Sequence, residues 1–422
     1  MTHHSPAAAR LGIGGLALLL VLAGSARPTA AAPAVTARTP RAVTVEEQRL
    51  DRAAPREILR RSGFDALAPR FGRALEGTGG YAQAERTVTR HASALWRRAV
   101  DRARGRGPAT GDLSRGDDRP LYWARLALSR ELRSWTPPFA LGDEQRKALH
   151  TALESASRGE REIRFPDRRM KRVLVTGFDP FTLDRDVRIG NPSGASALAL
   201  DGTVVRTADG PARIETVVFP VRWSDFAEGV VERTLARHLP RLDLFTTVSQ
   251  GRPGRFDVER TNGAWRGGFP DNENTASTGP VPVADPDTRP QWTSTTLPYR
   301  QLTEAETGRF PVYDNTEVTE IPAGGTQPVT RPDGPTPGSA ARAGGGGDYL
   351  SNEIAFRATL LRDRLGLPHL PGGHLHTPVL RFGAENTDPR TGTVTDPDFE
   401  RNRSDIVRQV GELVRTAVTA GR

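Results

Sequence analysis

The sequence predicts an α/β fold, a three-layer αβα sandwich on a mostly parallel sheet, preceded by an all-α N-terminal region. Three observations carry this expectation. From residue 171 onward, short apolar β-rich runs alternate with helical patterns, the texture of a parallel sheet covered by helices on both faces. Residues 41–166 show helical periodicity alone. Near the C-terminal end, a glycine run at 344–347 leads into a helical pattern at Ser351, and a β-like segment containing His376 follows.

A chain of 422 residues is long enough for two domains. Charged residues at 26% and hydrophobics at 36% fit a soluble globular protein, while 43 glycines and 34 prolines imply long loops. The formal charge of +9 raises the question of an anionic partner. The arginines are scattered among acids, and no basic block interleaves with aromatics, so no nucleic-acid partner is expected. Cysteine is absent, which removes disulfides, thiolate nucleophiles and cysteine metal sites. His374 and His376 share a strand face. No H-E-x-x-H or carboxylate spacing accompanies them, and neither a metal nor a cofactor is expected.

Residues 1–32 read as a secretory signal peptide. Arg10 supplies the positive charge, 11–23 a short apolar core, and small residues follow at 23–26 and 30–32. The core is too short for a stable membrane span, so the mature protein is expected to be secreted. A disordered linker at 33–40 leads into the helical region, 41–166. Helices are expected at 43–62 with an interruption near Pro55, at 81–104, at 118–135, and at 143–158. Asp143 is the expected N-cap of the last and Gly159 its stop. Trp96, Trp123 and Trp135 fall at core spacing, and no catalytic motif is visible here.

Residues 170–422 make the α/β domain. Strands are expected at 172–176, 213–221 and 242–248, and helices at 192–200 and 223–238. Open sheets of this kind bind ligands beyond the carboxyl ends of their strands, where Phe178, Phe181 and Gln250 fall. Residues 251–293 are loop-rich. The Gly/Pro/Thr-rich stretch 322–347 is expected as a flexible insertion, and a last helix at 398–420.

Ser351 stands at the start of a helix, where unpaired N–H groups and the dipole favour developing negative charge. The glycines before it allow close approach to the backbone. With His376 returning on a strand, this outlines a nucleophile, a base and an oxyanion hole. Serine at such a position also serves as a simple N-cap, and the residue alone leaves both readings open.

Several segments together resemble type I pyroglutamyl peptidase (pyrrolidone-carboxylate peptidase). They are V-T-G-F-D-P-F at 175–181, N-P-S at 191–193, Gln250-Gly251, Glu259-Arg260, P-D-N-E at 270–273, S-T-T-L-P at 294–298, D-Y-L-S-N at 348–352 and G-G-H-L-H-T-P at 372–378. The resemblance covers about residues 170–385, and the shared order of the segments is its most specific feature. It implies a phosphorylase/hydrolase-like sandwich and an omega-peptidase that removes N-terminal pyroglutamate from peptides. Carried onto this chain, it makes His376 the general base, Glu259 its orienting acid and position 351 the nucleophile. Phe178 and Phe181 become aromatic walls for the pyrrolidone ring, with Tyr349, Leu350 and Gln250 beside them.

The chain departs from that pattern at informative places. The family nucleophile is cysteine, here Ser351; a double glycine is Thr182-Leu183; an arginine is Gly268, with Arg266 nearby; and the 322–347 insertion is extra. A Ser–His–Glu set is a competent hydrolase triad on other folds. The expected function is therefore an exported pyroglutamyl-peptidase-like hydrolase. The alternatives are an inactive homologue that binds pyroglutamyl peptides, and a serine hydrolase with another acyl substrate.

Overall fold

The structure is a computed structural model and describes residues 42–420 except Ala109 and Arg168. The expected signal peptide, 1–32, and disordered linker, 33–40, lie outside the described residues. The first helix, α1 (Val45–Gln48), opens with a capping box in which Thr44 and Glu47 satisfy each other's end groups. A 3-10 turn, Arg49–Asp51, leads to α2 (Ala53–Ser62), α3 (Leu67–Glu76), α4 (Tyr81–Ala103), α5 (Arg119–Ser134) and α6 (Asp143–Ser157). The interruption expected near Pro55 falls at extended Arg52. Pro55 occupies the first turn of α2, where a missing N–H is harmless. Gly142, not Asp143, is the N-cap of α6, and Asp143 is its first helical residue. Trp96, Trp123 and Trp135 are buried.

The α/β part runs β1 (Lys171–Phe178), α7 (Pro192–Leu200), β2 (Thr203–Thr207), β3 (Gly210–Phe219), α8 (Trp223–Ala227), α9 (Val230–Leu235), β4 (Leu244–Gln250) and β5 (Phe256–Glu259). The single helix expected over 223–238 is two, because Gly229 adopts a left-handed φ of 76° between them. The loop-rich stretch then carries β6 (Thr261–Gly263), β7 (Trp265–Gly267), β8 (Thr278–Pro280) and β9 (Trp292–Ser294). After α10 (Tyr299–Glu304) come β10 (Val312–Asn315), β11 (Val318–Ile321), β12 (Val329–Arg331), β13 (Ala340–Ala343), α11 (Leu350–Arg364), β14 (Gly372–Thr377) and α12 (Pro397–Ala420).

The seven-stranded sheet has the order β10-β5-β14-β4-β1-β3-β2. The pairs β1–β3, β1–β4, β4–β14 and β5–β10 are parallel; β5–β14 and β2–β3 are antiparallel. Strand alternation sorts the side chains to two faces. Leu174, Phe178, Phe219 and Phe245 pack with α8, α9 and α11 on one face. Val173, Val175, Val248, Val258 and Leu375 pack with α12 on the other. The sheet is thus covered on both sides, as a three-layer sandwich requires.

The stretch 322–347 carries β12 and β13, which flank β11 in a three-stranded antiparallel sheet. Buried Glu320 closes it, accepting the Thr336 backbone N–H at 2.6 Å and Arg331 Nε at 2.9 Å. The helical region and the α/β part lie in one compact unit. Ala197 and Leu198 of α7 and Val218 of β3 share a core with Trp96, Leu128 and Trp135.

Candidate active site

Parallel strands β1, β4 and β14 end on one side of the sheet, and the glycine run brings the start of α11 over those ends. Between them lies a pocket of about 400 Å³. Its lining includes Phe178, Phe181, Ser249, Gln250, Gly346, Tyr349, Leu350, Ser351 and His376. Seven of the expected site residues therefore share one cavity wall, and the eighth, Glu259, stands directly behind His376.

Register explains the meeting of His376 and Glu259. On β14, His374 and His376 face the α11 side, while Leu375 faces α12. In the antiparallel β5–β14 pair, His374 is opposite Glu259 and His376 opposite Asp257. The diagonal contact puts His376 Nδ1 2.6 Å from Glu259 Oε1. The other carboxylate oxygen, Oε2, accepts Asn315 Nδ2 at 2.6 Å. Asn315 is opposite Glu259 in the parallel β5–β10 pair. Both carboxylate oxygens are thus held, and Glu259 is fully buried. Close approach by the glycine run is a steric necessity here, since a Cβ on Gly345 would lie 2.2 Å from Glu259 Oε2.

Ser351 is the second residue of α11, and Tyr349, in extended conformation, is the N-cap. The simple capping role open to Ser351 from sequence is therefore not the one it fills. Its hydroxyl donates to the Gly346 carbonyl at 3.0 Å. It is not hydrogen-bonded to His376 in this conformation, although both residues lie against Gly346. A Cβ there would sit 3.3 Å from His376 Cε1. The Tyr349 side chain makes no cap, so no N-cap side chain satisfies the first-turn amides of α11, whose residues Leu350 and Ser351 line the pocket.

The aromatic wall is built in two parts. Phe178 stacks on Phe226 at 6.1 Å with 12° between the rings, so it is anchored in the core. Phe181 meets Tyr349 at 6.2 Å, and Tyr349 also makes edge contacts with Trp223 and Phe269, each at 5.2 Å. The Tyr349 hydroxyl donates to the Pro270 carbonyl at 3.0 Å. Burial pushes its pKa up, with the Asp271 charge adding to the effect. Leu350 is buried in the same core. Gln250 lines the pocket, but its side-chain oxygen accepts the Leu380 N–H at 3.0 Å, which anchors the chain leaving β14.

The helical region reaches the back of this pocket. Asp179, in the loop between Phe178 and Phe181, accepts Arg158 Nη1 at 2.7 Å and is paired with Arg125. Asn272 donates to the Pro180 carbonyl at 2.9 Å and to Glu46 Oε1 at 3.1 Å. Glu46 also accepts from the Tyr122 hydroxyl at 2.8 Å and from Arg222 at 2.9 Å. Sequence reading quoted Asp179 and Asn272 as motif members without a role, and it missed Glu46 and Asn315. No sequence spacing links Glu46 to residue 272. Arg266, noted beside the altered position 268, is committed to Glu353, with two contacts of 2.6 Å.

Among the described residues, no cluster of metal-ligating side chains is present and no helix is long and apolar enough to cross a membrane. The ring nitrogens of His374 are occupied by Thr247 and Ser249 hydroxyls.

Comparison with known proteins places these features in a family. A solved mutant pyrrolidone carboxyl peptidase from Pyrococcus furiosus is 22% identical, with a TM-score of 0.40, over 58% of this chain and 97% of that one. Pyroglutamyl peptidase I of Bacillus amyloliquefaciens gives 22% identity and a TM-score of 0.39 over 59% and 97%. The uncharacterized protein PA0049 of Pseudomonas aeruginosa is 34% identical, covering 93% of this chain and 92% of that protein. Residues 26–154 match the family model of the PA0049 N-terminal domain, and residues 172–288 and 309–381 that of the PA0049 C-terminal domain. With both domains matched and a relative aligned over nearly its whole length, the chain belongs to the PA0049 family.

Proposed function

We propose that this protein is a serine hydrolase that removes N-terminal pyroglutamate from peptides, with Ser351 as nucleophile, His376 as general base and Glu259 orienting the imidazole. The observation that carries the reading is the 2.6 Å contact of His376 Nδ1 with buried Glu259, behind a pocket that Ser351 lines. A carboxylate on Nδ1 leaves Nε2 free to take a proton and stabilises the imidazolium that results. Ser351 Oγ, turned from Gly346 toward His376, would attack the scissile carbonyl carbon as its proton passes to Nε2. The amides of residues 350–352 would hold the oxyanion. His376 would return the proton to the departing amine, and water would release the acyl group by the reverse path. Phe178, Phe181 and Tyr349 would grip a flat, neutral lactam by its faces, with Leu350 and Gln250 closing the pocket around it.

Export belongs to the same proposal, on the signal-like pattern at 1–32. Recovery of the protein in the culture medium, shortened at its N-terminus, is the expected result. The function itself is tested by release of a fluorogenic amine from a pyroglutamyl amide, with Ser351→Ala as control. Turnover in the wild type that is lost in the variant supports the reading; turnover retained in Ser351→Ala contradicts the nucleophile.

A second reading, binding without cleavage, is favoured by the Ser351 hydroxyl bond to Gly346 in place of His376. It predicts equal pyroglutamyl-peptide affinity in wild type and Ser351→Ala, and no turnover in either.

A further inference from the structure

One imidazole and two hydroxyls beneath the pocket play no part in the proposed triad. His374 is fully buried on β14. Its Nδ1 lies 2.7 Å from Thr247 Oγ1, and its Nε2 lies 2.8 Å from Ser249 Oγ. Thr247 Oγ1 also reaches the Gly373 carbonyl at 3.1 Å. A carbonyl only accepts, so the Thr247 hydroxyl donates to it. The Thr247 oxygen is then the acceptor for His374 Nδ1–H, and Nε2 carries no proton. Nε2 accepts in turn, and the donor is the Ser249 hydroxyl. This proton arrangement satisfies all three contacts; the reverse one leaves the contact with Gly373 unmade. Burial holds the His374 pKa well below the ordinary histidine value, with neighbouring His376 the second cause, so the ring is neutral.

A serine has one proton, and that of Ser249 is committed. Ser249 lines the pocket, opposite His376 in the β4–β14 register. Its oxygen therefore offers an occupant only lone pairs. A serine on a histidine also suggests a second nucleophile, but the surroundings oppose that role. The transferred proton would charge a buried ring whose nitrogens meet hydroxyls alone.

We propose that Ser249 is a specificity-determining acceptor, set in place by His374 as a positioning residue, and that it selects small cyclic amides by their ring N–H. The inference rests on the reading of the pocket as a pyrrolidone site. A site built to accept an N–H discriminates against an isostere without one, because its acceptor is then left unpaired.

The test uses 2-pyrrolidone and cyclopentanone, which share a carbonyl and ring size and differ in the N–H. Their binding to the full chain is measured by NMR titration in wild type and Ser249→Ala. Preference for 2-pyrrolidone by about tenfold or more in wild type, collapsing toward equality in Ser249→Ala, is expected. Equal binding in wild type, no binding of either ring, or a preference unchanged in Ser249→Ala overturns the proposal. The ¹⁵N signals of His374 provide a reading that needs no variant. A protonated Nδ1 and bare Nε2 are expected, and a protonated Nε2 overturns the assignment. Failure of pyroglutamyl amide turnover with the lactam preference intact would remove the peptidase reading and leave Ser249 as the acceptor.

Discussion

Glu259 is held by two 2.6 Å contacts, one from His376 and one from Asn315. Each fixes one oxygen, so the carboxylate has little freedom to leave the imidazole. If it orients His376 in an acyl transfer, Glu259→Gln should lower kcat by about 10³-fold or more. Pyroglutamyl-amide kinetics would check this, and an unchanged kcat would remove Glu259 from the mechanism. Position 259 was legible in the sequence because it stands in an ordered series of motifs with residues 351 and 376. Asn315 was not: its place depends on parallel pairing of β10 with β5, and a three- or four-residue edge strand leaves little periodic trace. The tautomer of His374 was also beyond reading, since it follows from hydroxyl geometry across β4.

The same contrast holds for elements. Long helices such as α4 and α5, and buried strands such as β1 and β4, were readable from periodicity, with shifts at their ends. The β11–β13 sheet was hidden by its glycines and prolines, although Glu320 ties its turns together. Element α1 falls within the helix expected over 43–62, but its contacts were not legible. It is four residues long, yet it places Glu46 against Asn272, Tyr122 and Arg222. These contacts join the helical region to both loops behind the aromatic wall. Glu46→Ala would leave Arg222 and Asn272 each with one acceptor fewer and take the acceptor of the buried Tyr122 hydroxyl. A loss of roughly 3 kcal/mol or more is expected in urea unfolding, together with a raised KM. A stability and KM equal to wild type would show that α1 does not support the pocket.

At the scale of the whole molecule, burial of acids inside a single unit makes stability depend on pH. Burial pushes Glu215 up to about 7, with the Asp201 charge as the next cause. Burial also pushes Asp118 up to about 7, with the Asp117 charge adding to it. In the window between ordinary carboxyl values and pH 7, the folded chain holds protons that the unfolded chain has released. The stability linked to these groups is fully present below the unfolded pKa and is lost as pH rises through 7. Glu215→Gln removes one such group. The fall in urea stability between pH 5 and 7 should become shallower, by at most about 1.4 kcal/mol per pH unit. An unchanged or steeper fall would contradict a raised Glu215. Periodicity indicated an α/β part and a helical region, but not the contacts that join them, because those run between residues far apart in sequence.

The most direct test of the central claim is to trap the acyl group. Wild type and Ser351→Ala would be mixed with an activated pyroglutamyl ester, quenched within the first turnover, and mapped by peptide mass spectrometry. The account predicts a pyroglutamyl adduct on Ser351 in the wild type and none in the variant. Ester hydrolysis by the wild type with the adduct on another residue, or an adduct that persists in Ser351→Ala, would contradict it.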